Sequence, residues 1–164
     1  TNKDNPTKIL NFNFPIDNNE KFDAFFDGGS LQHTYNIPVV MQNIRNHVKI
    51  GGSIIHAVSA NNLCGFGFYQ ISPEFFVEYY SEKNGFKNTK IFVADYDDTK
   101  NWYQIDTKLS KNIIINTSTR VICLVKTEKY SEVNIKEIFQ DVFFENSNKN
   151  YNLSKKKNLL TKYF

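Results

Sequence analysis

Three histidines, His33, His47 and His56, are the side chains best able to exchange a proton near neutral pH. His33 follows the turn Asp27-Gly28-Gly29-Ser30-Leu31-Gln32 and could act as a general base; a helix-start or core histidine is the other reading. His56 sits inside the apolar run Ile54-Ile55-His56-Ala57-Val58, the setting of a core histidine with satisfied ring nitrogens. No histidine is spaced from another, or from Cys64 or Cys123, as metal ligands are. Asp27-Gly28-Gly29 closes the short apolar run Phe22–Phe26. Open α/β sheets bind ligands at such a carboxyl end, and a tight turn is the alternative. Tyr69, Gln70 and Glu74 lie on or just after a glycine-containing loop, where they could line a ligand pocket or plug the core.

These residues need a scaffold, and the hydrophobic pattern supplies one. Thr7–Phe14 reads as a strand ended by Pro15. Phe22–Phe26 suits a strand buried on both faces of a parallel sheet. Val40, Met41, Ile44 and Val48 make one helical face, begun at Pro38 and ended by Gly51-Gly52. Ser53–Ser59 is a second buried strand, followed by a loop over Asn61–Ile71. Ser72-Pro73-Glu74 starts a helix with apolar face Phe75, Phe76, Tyr79 and Tyr80, stopped at Asn84-Gly85. Thr89–Ala94 and Arg120–Val125 are further strands, with room between them for another at Asn112–Ile115. Ile135, Ile138, Phe139, Val142 and Phe143 form a helical stripe, and beyond Asn146 the chain turns Asn/Lys-rich. The expectation is one domain over residues 1–145 with a polar tail over 146–164. Its class is α/β: a sandwich with a mostly parallel sheet and a terminal antiparallel hairpin.

Composition narrows the partners. With 164 residues, 40% of them hydrophobic, the chain can bury a real core, which argues against global disorder. A net charge of +3 without clustered Lys/Arg interleaved with aromatics argues against nucleic acid. No apolar run approaches the length needed to cross a bilayer, so no membrane partner is expected. Two cysteines without CxxC spacing in apolar surroundings suggest reduced thiols and a cytoplasmic protein.

Residues 22–86 resemble the class I S-adenosylmethionine-dependent methyltransferase family. Phe22-Asp23-Ala24-Phe25-Phe26-Asp27-Gly28-Gly29-Ser30-Leu31-Gln32-His33 is similar to its fourth strand and following loop, with Gln32 in place of an acid. Val48-Lys49-Ile50-Gly51-Gly52 stands where the family has an "LKPGG" turn, and Ser53–Ser59 where it has its fifth strand. Gly65-Phe66-Gly67-Phe68-Tyr69-Gln70-Ile71-Ser72-Pro73-Glu74-Phe75-Phe76 with Asn84-Gly85-Phe86 is similar to a narrower subgroup signature. The resemblance implies S-adenosylmethionine as cofactor and methyl transfer to oxygen or nitrogen of a small acceptor. Asn11, Asp27, Gly28, Gly29, Ser30 and Leu31 would then contact the donor, His33 would serve as base, and Tyr69, Gln70 and Glu74 would hold the acceptor. The family's glycine-rich donor turn has no counterpart, which implies that its first two strands are missing and that a half-domain would precede Thr1. In the family order 3-2-1-4-5-7-6 the strand at Thr7–Phe14 would then lack its neighbours. An exposed sheet edge, and through it a homo-oligomer, is expected. The alternative is a non-catalytic, degenerate relative that acts as a binding or assembly module.

Overall fold

The computed structural model describes residues 9–98, 100–106, 119–135, 138 and 160–163. The chain is an α/β fold built on a six-stranded mixed sheet. In chain order the elements are β1 (Phe22–Asp27), α1 (Ile37–His47), β2 (Val48–Asn61), α2 (Pro73–Tyr79), β3 (Phe86–Asp95), β4 (Trp102–Ile105), β5 (Val121–Lys129) and β6 (Leu160–Tyr163). The strands lie side by side as β1-β2-β5-β3-β4-β6.

Among the described strands only β1 and β2 pair parallel, so the expected mostly parallel sheet is corrected to a mixed one. The reason is β5, which inserts between β2 and β3 and runs antiparallel to both. β4 and β6 extend the sheet beyond β3 with further antiparallel ladders.

Strand periodicity is clearest in β5. Val121, Cys123, Val125, Thr127 and Lys129 are buried, while the residues between them are half-buried or exposed. The core joins Leu31, Met41, Ile44 and Val48 to Ile54, Phe76, Tyr80, Phe86, Ile91 and Val125. α2 starts as its sequence dictates: the Ser72 hydroxyl accepts from the Glu74 N–H and Pro73 occupies the first turn. After α2, Gly85 takes the left-handed conformation (φ 84°) that ends the Glu82–Asn84 turn.

Three local expectations change. Residues 9–14 form no strand; Phe12–Asn13 is a turn, and the segment is clamped to α1 by asparagines. Buried Asn43 accepts from Ile16 N at 3.0 Å and donates to Phe12 O (3.2 Å) and Phe14 O (2.9 Å). Asn13 Oδ1 accepts from Tyr35 N and Asn36 N, each at 2.9 Å, and so holds the start of α1. Side-chain amides thus satisfy a backbone that has no neighbouring strand.

β1 is an edge strand, with Phe22 47% and Phe26 69% exposed, rather than one buried on both faces. And α1 stops at His47, four residues before Gly51. The cap comes from far along the chain: the fully buried Lys129 ammonium donates to Arg45 O and Val48 O, each at 2.9 Å. Gly51 (φ +83°) and Gly52 fall inside β2, where the β1/β2 register shifts between Phe22 and Ala24. A Cβ on Gly52 would come 2.9 Å from Asp23 O, so glycine is required for strand approach and not for a helix cap. Asn112–Ile115 and the stripe from Phe139 to Phe143 lie outside the described residues. Ile135 and Ile138 pack against the core.

Candidate functional site

The carboxyl end of β1 carries a polar chain that crosses three elements. Asp27 is the last residue of β1 and is 4% exposed; His56, its register partner on β2, is fully buried. His56 Nδ1 lies 2.9 Å from Asp27 Oδ2, and His56 Nε2 lies 2.6 Å from the Tyr80 hydroxyl. Burial raises the Asp27 carboxyl, but the hydrogen bonds it accepts from His56 and from the N–H groups of Ser30 and Leu31 outweigh it and hold it below the usual carboxylate range. Burial pushes the Tyr80 phenol well above its ordinary value, so it stays a donor. With a carboxylate on one side and a phenol on the other, His56 donates from Nδ1 and accepts at Nε2.

The other Asp27 oxygen fills the loop that follows. Oδ1 accepts from Gly29 N (3.1 Å), Ser30 N (2.7 Å) and Leu31 N (3.3 Å). Gly29 (φ +99°) supplies the left-handed residue this wrap needs. The Asp27 carboxylate is therefore occupied from both sides, and three backbone donors of the expected donor loop point at it.

A cleft of about 310 Å³ opens beside this loop, at the low end of small-ligand sites. Four of the expected donor-contact residues, Asn11, Asp27, Ser30 and Leu31, line it together with Phe12 and Phe26. Asn11 is exposed there, and its Oδ1 accepts from Asn13 N at 3.1 Å, a local turn. Gly28 and Gly29 shape the turn and are not among the lining residues.

The remaining expected site residues lie elsewhere. His33 is exposed on the 3₁₀ turn Leu31–His33, its ring 6.0 Å from that of Phe66, and it does not line the cleft. Tyr69 donates to Gln32 O from its backbone (3.2 Å) and to Tyr35 O from its hydroxyl (2.9 Å). Gln70 closes its own loop, accepting from Leu63 N at 2.7 Å and donating to Cys64 Sγ at 3.4 Å. Glu74 lines a separate groove of about 660 Å³ between α1 and α2, with Met41, Phe75 and Tyr79. Tyr69, Gln70 and Glu74 thus do not converge on one pocket.

Gln32 joins these parts: its Oε1 accepts from Ser59 N at 2.7 Å, and its carbonyl accepts from Phe68 N at 2.8 Å. Gly67 lies so close that a Cβ would meet Gln32 O at 2.8 Å. The loop is therefore pinned, and Phe66 and Phe68 stand 45% and 71% exposed on it.

Sequence reasoning missed Tyr80 as the partner of His56, and Asn13 and Asn43 as the clamps of the cleft wall. Asn43 and Arg45, both buried on α1, break the apolar period, which was the one available signal. Both cysteines are free; Cys64 is exposed, whereas burial raises the Cys123 thiol far above its ordinary value. Among the described residues no group of His, Cys, Asp and Glu could hold a metal, and no helix is long and apolar enough to cross a membrane. Compared with known proteins, the chain matches no protein-family model, no curated protein and no solved structure.

Proposed function

We propose that this chain is the acceptor-side half of a class I, Rossmann-like S-adenosylmethionine-dependent methyltransferase domain, transferring methyl to oxygen or nitrogen of a small acceptor. The observation that carries the reading is the strand order β1-β2-β5-β3, with β5 antiparallel between co-directional neighbours. It parallels the 4-5-7-6 segment of the family order, with β3 and β5 in the role of the terminal antiparallel pair. The cleft at the carboxyl end of β1 lies where that family holds its donor, and it gathers Asn11, Asp27, Ser30 and Leu31.

The transfer is an in-line displacement at a sulfonium methyl, already activated by its charge, so the protein's main task is alignment. Asn11 and Ser30 offer the exposed polar groups of the cleft, while the buried Asp27–His56–Tyr80 chain fixes the loop that bears Ser30. His33 remains the candidate base for an acceptor that must lose a proton. The free edge of β1 is the proposed site of self-association.

A second reading, a non-catalytic binding or assembly module, draws on one observation. The Asp27 carboxylate fills the donor loop that a ligand would otherwise use.

The full-length protein is the one to test. On the first reading it binds S-adenosylmethionine and transfers the methyl group, and His33→Ala lowers turnover without changing the unfolding midpoint. The 164-residue chain alone, with a half-built cleft, shows no binding by isothermal titration at micromolar donor. Failure of the full-length protein to bind the donor at all would overturn the first reading in favour of the second.

A further inference from the structure

Arg45, near the end of α1, is 3% exposed. Its Nε has no hydrogen-bond partner, and no carboxylate among the described residues forms an ion pair with it. A guanidinium is always charged and presents five donors in a rigid fork. Burying one with no hydrogen-bonded anion at its fork is strongly unfavourable unless something else supplies that partner.

Arg45 lines a cavity of about 230 Å³ with Gln42, Asn46, Glu132, Val133 and Asn134, none of which belongs to the cleft beside β1. The electrostatics there are one-sided. The Lys129 ammonium, fully buried, sits 2.7 Å from Glu132 Oε1, and the Lys21 ammonium sits 3.8 Å from the same oxygen. Among the described residues three cations, Arg45, Lys129 and Lys21, thus act on one carboxylate, a surplus of two positive charges. The carbonyls at the end of α1 do not offset it, because Lys129 already occupies Arg45 O and Val48 O. Gln42 donates to Asn46 Oδ1 at 2.7 Å, which leaves the Asn46 amide N–H₂ as a donor at the rim, beside Asn134.

We infer that this cavity binds a small phosphate-class dianion, held by the Arg45 fork and completed by the rim amides. Two surplus charges match a dianion, the fork matches paired oxygens, and the volume holds one such group rather than a nucleotide. The inference is independent of methyl transfer.

The test is thermal unfolding and isothermal titration of the whole chain with inorganic phosphate against chloride at equal ionic strength. Phosphate is expected to raise the unfolding midpoint saturably, and Arg45→Met to abolish the rise. Glu132→Gln removes the carboxylate that opposes these cations while its amide oxygen still accepts from Lys129, and it should tighten phosphate binding at least threefold. A saturable rise that survives Arg45→Met overturns the assignment. So does phosphate acting like chloride on both the unmodified chain and Glu132→Gln. Should Arg45→Met fail to fold, Glu132→Gln decides alone, and an unchanged or weaker affinity overturns the assignment.

Discussion

Asp27 and His56 are joined twice: they are register partners in the one parallel ladder of the sheet, and their side chains meet at 2.9 Å in the interior. The double link ties the end of β1 to the centre of the sheet and, through Tyr80, to the residue that follows α2.

The folded Asp27 carboxyl lies below its ordinary 3.8, so the unfolded chain takes up the proton first as pH falls. Its contribution is full above about pH 5, declines below that, and is lost as pH falls through the folded value. Asp27→Asn, which keeps an acceptor for the loop but removes the charge, should cost about 2–3 kcal/mol at pH 7. Urea midpoints of both forms should converge as pH falls through the folded Asp27 value. A gap that does not change with pH would refute the ionic role.

Tyr80→Phe leaves His56 Nε2 buried without its donor while keeping the ring contacts with Phe76 and Phe86. A loss of about 1–3 kcal/mol is expected from one unsatisfied buried acceptor. Chemical denaturation measures it, and an unchanged midpoint would mean that water takes the place of the hydroxyl.

Asn43→Ala removes three hydrogen bonds that hold residues 12–16. Amide exchange at Ile16 should rise sharply while exchange in β5 stays slow, because the clamp is peripheral and the core is not. Equal acceleration in both places would show that Asn43 supports the whole fold.

Lys129→Met strips the cap from α1 and leaves Arg45 O and Val48 O unpaired. The expected cost is about 2–4 kcal/mol for two orphaned buried carbonyls. Unaltered stability would show that the helix end finds other donors.

Self-association through β1 should respond to edge charges. Light scattering of the unmodified chain is expected to give more than a monomer mass, and Phe22→Lys with Ala24→Lys, both at exposed positions of the edge strand, should return it to a monomer. A monomer in both cases removes the edge as an interface.

Much of the local structure was legible because local structure follows from neighbours in sequence. The apolar stripe Val40, Met41, Ile44 wrote α1, and Ser72-Pro73-Glu74 wrote the start of α2. The apolar runs behind β2, β3 and β5 marked strands, whereas β4, four residues within a polar stretch, carried no period to read. The turn Asp27-Gly28-Gly29 announced itself by its glycines, and the cleft does open beside it.

What the sequence could not decide is who meets whom. Whether Phe22–Phe26 is central or an edge depends on strands elsewhere in the chain, and α1 ends at His47 because a lysine more than 80 residues later reaches its carbonyls. Residues 9–14 have strand composition but no strand beside them, so asparagines on another element took over their hydrogen bonds. The same holds for the site. Asp27 was visible as a candidate, but its occupation by His56 and by its own loop arises only when β1 and β2 pair. A buried polar group must find its partner wherever the fold brings one, and that partner is recorded in tertiary geometry, not in spacing along the chain.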